Sequence, residues 1–270
     1  MTPPYARAAR SGPRARRPAS PDGPAHFLGL EGAAILPTSH FLLTRRAVED
    51  VVDRAAMGVI HGDAGLGKTF AVQAALAAHD DWAIATMSFP NQPTMRQVAA
   101  ILLLDTAGVP DPGYNRFRTT ALLLEEFGRI RWLIVVDEAQ RLNGVCIEYL
   151  RHLHDHPATR FALLLVGGNG CWEVLSREPM LESRVWRRVE FRALTSTEVL
   201  RHLRGYHQLY STVPDELLLF IDDNFAHGLL RNWAAFTLSA QRECARLGRP
   251  LDEQVARAVF ALHGGGYDAA

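Results

Sequence analysis

A chain of 270 residues, 48% hydrophobic and 21% charged, is long enough for one large domain or for a core domain plus a small appendage, and its make-up predicts an ordinary soluble globular protein. The formal net charge is zero, so no whole-molecule field draws it to nucleic acid or to a membrane surface, and any polyanion binding has to come from local patches. The three cysteines, Cys146, Cys171 and Cys244, form no C-x-x-C pair, which argues against a disulfide framework or a zinc ribbon and for a reduced, cytoplasmic compartment.

Residues 1–26 hold five arginines and six prolines, a composition that predicts a disordered basic arm able to brush DNA phosphates. The arginine pair at Arg16 and Arg17 precedes no apolar segment, so an export signal is not expected. Apolar runs such as "FALLLV" at 161–166 are of strand length, and no membrane association is predicted. From Ala34 onward short apolar runs alternate with amphipathic stretches, the pattern of an α/β domain with a parallel sheet. Strands are predicted at "MGVIHG" (57–62), "WAIATMSF" (82–89), "WLIVVDEA" (132–139), "FALLLVGG" (161–168) and "RRVEFRAL" (187–194). Helices are predicted at 68–79, around 95–104 and 119–127, and at 144–154. After Leu194 the strand signals stop. Thr195 or Ser196 caps a helix ahead of Glu198, and two further helical stretches follow, the last ending at Gly248. The expected organisation is an arm over 1–26, a core over 27–194, a helical domain over 195–263 and a flexible tail over 264–270.

Between the first strand and the first helix after it lies Gly62-Asp63-Ala64-Gly65-Leu66-Gly67-Lys68-Thr69-Phe70. It satisfies G-x-x-x-x-G-K-[ST] in the strand–loop–helix context that motif requires. Its glycines let backbone N–H groups wrap phosphates at the start of a helix. Lys68 is placed to reach the β- and γ-phosphates, and Thr69 to ligate Mg²⁺. The 29 basic residues of the chain include a single lysine, and it is Lys68. Chance would put it there about once in 29, and only a tight anion cradle distinguishes a compact ammonium from a planar guanidinium. At the end of the third strand Asp137 is expected to hold Mg²⁺, and Glu138 to orient or deprotonate an attacking water.

On the phosphate loop and "VVDEAQRL", the stretch from about Phe41 to Gly248 resembles the AAA+ ATPases. The resemblance implies a P-loop NTPase (AAA+) α/β fold, a three-layer parallel sheet with a small C-terminal all-helical lid, using ATP and Mg²⁺. It implies that Asn169, after "LLLVGG", senses the γ-phosphate. "MLESRVWRRVEF" resembles the segment that supplies an arginine finger to the nucleotide of a neighbouring subunit, with Arg184 the first choice and Arg187 and Arg188 behind it. "HGLLRN" resembles the lid motif in which Arg231 contacts the nucleotide. Within AAA+ proteins, "FLLTRRAVEDVVDRAAMGVIHGDAGLGKTFAVQAAL" and "DEAQRL" are similar to the ATP-binding subunits that accompany DDE transposases, the Mu B, IstB, TniB and TnsC type. That similarity implies an ATP-dependent homo-oligomer on double-stranded DNA that selects targets and activates a DDE transposase. Arg96, Arg116 and Arg118 are the candidate DNA contacts. Two alternatives stay open: a secretion-associated ATPase, and a nucleotide-gated switch with negligible hydrolysis.

"RHLHDH" brings together His152, His154 and His156 but lacks the glutamate of H-E-x-x-H, so solvated histidines are expected there rather than zinc. Trp132, Trp172, Trp186 and Trp233 are expected to anchor cores or interfaces.

Overall fold

A computed structural model describes residues 29–79, 82–110, 113 and 115–264. The arm expected over 1–26 lies outside them, as does all but the first residue of the tail expected over 264–270. In chain order the elements are α1 (Ser39–Arg54), β1 (Met57–Gly62), α2 (Lys68–Leu76), β2 (Ala83–Ser88), α3 (Met95–Ala107), α4 (Arg116–Arg129), β3 (Trp132–Asp137), α5 (Gly144–Asp155), β4 (Ala162–Val166), α6 (Cys171–Leu175), α7 (Pro179–Glu182) and β5 (Val185–Phe191). Four helices complete the fold: α8 (Ser196–His202), α9 (Asp215–Ile221), α10 (Leu230–Leu247) and α11 (Glu253–Leu262).

The five strands form one parallel sheet in the order β2-β3-β4-β1-β5. Alternation along the buried strands divides their side chains between two layers. Leu163 and Leu165 of β4 pack with Ile134, Val136 and helices α3 to α6. Leu164 and Val166 pack with Leu133, Val135 and helices α1 and α2. Strands covered on both faces have to be apolar at every position, which is why β3 and β4 read as continuous runs. The order β3-β4-β1 sets the carboxyl ends of those three strands side by side, at the edge where open α/β sheets hold ligands.

Helix boundaries follow local chemistry. Thr38 caps α1 by accepting from the Phe41 N–H. Thr94 and Gln97 form a reciprocal capping box at α3, and Thr195 and Glu198 form another at α8. Strand β5 begins two residues before its expected start because the register slips between Met57 and Gly58, leaving Trp186 as an extra residue. Such a bulge destroys the alternation that marks a strand in sequence. Trp186 is accordingly not buried: it is 45% exposed, with the guanidinium carbons of Arg54 and Arg187 5.0 and 4.8 Å from its ring centroid.

The helices after Leu194 build a separate apolar cluster around Trp233, Phe236 and Tyr210, whose hydroxyl pairs with that of Thr237 at 2.7 Å. Leu30 and Leu36, which precede α1, pack into this cluster rather than against the sheet. The Ala34 N–H donates to the Tyr206 carbonyl at 2.7 Å. No helix among the described residues is long and apolar enough to cross a membrane.

Candidate functional site

The turn from β1 into α2 is shaped by glycine. Gly62 has φ +136°, and a Cβ there would stand 2.3 Å from the Phe191 carbonyl oxygen of the neighbouring strand, so no other residue fits. Gly67 caps α2 in the left-handed region, with φ +89°. Lys68 opens the helix and is only 8% exposed. Its Nζ donates to the Asp63 carbonyl at 2.6 Å, spanning the loop. Burial pulls its pKa below the usual lysine range, against the opposing pull of Glu138 and Asp137.

Asp137 ends β3 half-buried, and burial pushes its carboxyl up while a hydrogen bond from the Glu138 N–H to Oδ1, at 2.9 Å, opposes that. Glu138 itself has φ +57° and ψ +41°, a left-handed conformation that costs a non-glycine residue about 1 kcal/mol. A strained residue of this kind persists where its surroundings over-determine it. Here Gln140 supplies the constraint. Its Nε2 donates to Glu138 Oε2 at 2.7 Å, and its Oε1 accepts from the Gly168 N–H at 3.0 Å. One amide side chain thereby ties the acid after β3 to the turn after β4. Nothing local in "DEAQRL" marks Gln140, because its partner in the turn after β4 lies 28 residues away.

The lid reaches the same loop. The Arg231 N–H donates to the Gly65 carbonyl at 2.9 Å, and Leu230 Cδ1 lies 3.1 Å from where a Gly67 Cβ would be. Asp222, in a π-helical turn ahead of α10, fixes that approach from within. Its Oδ1 accepts from the Gly228 N–H at 2.8 Å and from Trp233 Nε1 at 3.1 Å.

These groups converge on a cavity of about 690 Å³. Asp63 to Phe70, Asp137, Glu138, Gln140, Asn169 and Arg231 line it together with apolar residues that include Leu36, Phe41, Phe191 and Tyr206. Of the expected site residues, Gly62 supports the loop from beneath, and Arg184 is not among the lining residues. Arg96, Arg116 and Arg118 are exposed in the first turns of α3 and α4, away from the cavity lining. Arg188 lies with its guanidinium 4.3 Å above the Trp172 ring. His154 faces the Ala55 carbonyl oxygen at 3.0 Å, and the described residues contain no group of three metal-binding side chains.

The cavity has the size of a small-molecule site, and its lining is apolar in one part and ionic in another. The glycine cradle beside a helix start and a buried ammonium fits a polyphosphate. The Thr69 hydroxyl and the Asp137 carboxylate are hard oxygen donors of the sort Mg²⁺ takes.

A family model described as an AAA domain matches residues 51–175. No curated protein matches the chain. Among solved structures, Cdc6p of Pyrobaculum aerophilum is similar with a TM-score of 0.65 at 16% identity, over 88% of this chain and 70% of that one. Drosophila ORC bound to DNA has a TM-score of 0.63 at 12% identity, over 98% and 71%. The Aeropyrum pernix ORC2 protein, in ADPNP–ADP complexes, has a TM-score of 0.59 at 18% identity, over 84% and 69%. The chain therefore has the AAA+ P-loop NTPase fold, with a helical region C-terminal to the stretch that the AAA domain model matches.

Proposed function

We propose that this protein is a Mg²⁺-dependent ATPase that assembles with copies of itself on double-stranded DNA and regulates transposition, selecting targets and activating a DDE transposase. The observation that carries the ATPase reading is the convergence of Lys68, Asp137, Glu138 and the lid residue Arg231 on one cavity. In this reading Lys68 holds the β- and γ-phosphates, Asn169 contacts the γ-phosphate, Arg231 closes on it from the lid, and the apolar lining takes the base. Thr69 and Asp137 would hold Mg²⁺, whose charge neutralises the phosphates. Glu138, held by Gln140, orients the attacking water, and its presence favours hydrolysis over a purely nucleotide-gated switch. DNA is supported by the likeness to an ORC solved on DNA and by the exposed arginines of α3 and α4. The transposition role is supported by the similarity of the segment from "FLLTRR" through the phosphate loop.

ATP is expected to drive assembly on duplex DNA, with affinity falling steeply as salt rises. Electron microscopy and filter binding, with and without ATP, measure this. A protein that stays monomeric and ignores DNA overturns the transposition reading. Gln140→Ala is expected to lower kcat about tenfold, ~1.4 kcal/mol, with ATP affinity unchanged, because it frees Glu138 without touching the phosphate cradle. Steady-state kinetics beside a binding titration check the split.

A further inference from the structure

Arg184 is anchored at one edge and open at the other. It sits between α7 and β5 with its side chain 46% exposed, and its Nε lies 3.3 Å from both carboxylate oxygens of Asp155. Among the described residues its two terminal amino groups have no hydrogen-bond partner. The neighbouring arginines are used differently. Arg187 gives Nε to Asp50 at 2.6 Å and Nη1 to the Trp186 carbonyl at 3.4 Å, while Arg188 has its guanidinium carbon over the Trp172 ring.

Asp155, the last residue of α5, is itself fixed. Arg151, one turn earlier, donates Nη1 to its Oδ2 at 2.7 Å and Nε to Glu148 at 2.9 Å. The side chains of Arg151 and Asp155 are only 20% and 24% exposed, so solvent screens their pair less than a freely exposed one. Partial burial alone would raise the Asp155 carboxyl; the hydrogen bonds from Arg184 and Arg151 outweigh it and hold the group below the usual carboxylate range.

Register decides which phosphates Arg184 can serve. Val185 pairs with Met57 and Phe191 with Gly62 along parallel strands. Arg184 therefore stands at the opposite end of β1 from the phosphate loop, about 17 Å away at ~3.3 Å per residue. It cannot reach the cavity of its own chain.

We propose that Asp155, braced by Arg151, is the positioning residue for Arg184: it takes the Nε edge and turns both amino groups outward, toward the nucleotide phosphates of a second copy of this chain. The inference rests on the reading of Arg184 as a finger acting in trans. A planar guanidinium held along one edge is already oriented on its other, so less freedom is lost when it meets a phosphate.

The test uses the full chain with ATP and DNA. Asp155→Asn and Asp155→Ala are expected to lower kcat about tenfold, the size of effect a displaced catalytic group produces. KM for ATP, assembly on DNA and melting temperature should stay at wild-type values, a split that a merely structural aspartate would not give. Mixed assemblies supply a readout in trans. Arg184→Ala subunits keep their nucleotide site, and Glu138→Gln subunits keep their finger and still hold ATP and assemble, so mixing the two is expected to restore hydrolysis at their shared interfaces. Replacing the second partner with the Glu138→Gln, Asp155→Ala double variant is expected to cut that rescue about tenfold. If Arg184→Ala alone turns over ATP like the wild type, the finger reading falls and this inference with it. If Arg184→Ala is inactive while both Asp155 variants are normal and the double variant still rescues in full, the finger stands and the role of Asp155 is overturned.

Discussion

Lys68→Arg is expected to lose ATP about as completely as Lys68→Ala, with affinity falling about 100-fold, ~2.7 kcal/mol, the upper range for one hydrogen bond to a charged group. On a surface the exchange would be nearly silent. Here the ammonium is buried, enclosed by its own loop through the Asp63 carbonyl, and faced by Asp137 and Glu138. A guanidinium is wider and holds its donors in one plane, so it has to displace either the loop or the lid residues seated on it. Burial has already lowered the lysine pKa, so part of the desolvation that a phosphate partner would offset is present before any ligand arrives. Titration with a fluorescent ATP analogue measures the effect. Affinity within threefold of wild type for the arginine variant would show that the solitary lysine is an accident of composition.

The second large effect belongs to Glu138. Glu138→Gln keeps the side-chain shape, and its amide oxygen can still accept from Gln140 Nε2, so the left-handed backbone turn is expected to persist. What it removes is the carboxylate proposed to orient or deprotonate the attacking water. Hydrolysis is expected to fall about 10³-fold, within the range general-base catalysis supplies, while ATP stays bound and the assembled state accumulates. Phosphate release, nucleotide retained after desalting, and assemblies counted by microscopy give three separate readouts. Undiminished phosphate release would remove Glu138 from the reaction.

Both variants lie in stretches where sequence and structure agree closely, and the reason is physical. The strand "MGVIHG" ends where the backbone turns at a glycine, and α10 ends at Gly248 with φ +63°, so the punctuation is carried by residues whose conformational freedom is itself the signal. The acid pair Asp137-Glu138 sits at the end of a run that both layers must bury. Legibility fails where the determinant is a partner far along the chain. Glu138 takes its conformation in a turn tied to Gly168 through Gln140, and Arg184 is oriented by an aspartate 29 residues earlier. Neither pairing leaves a local pattern. The bulge at Trp186 is a third instance, since it exists only as a slip against Met57 and Gly58. Leu30 and Leu36 are a fourth: nothing in "LGLEGAAIL" distinguishes a segment that joins the sheet from one that crosses to the helical cluster.

That crossing governs how the two bodies can move. The helical cluster is made from both ends of the described chain, with Leu30 and Leu36 arriving before α1 and Leu194 onward arriving after β5. The sheet is in effect an insertion held between two connections, one near Thr38 and one near Leu194. A body held by two connections is more restricted than one on a single tether. Both connections lie beside the cavity: Thr38 lines it, and the Leu194 N–H donates to the Gly228 carbonyl three residues before Arg231, so the Gly65–Arg231 hydrogen bond sits next to them rather than at a free edge.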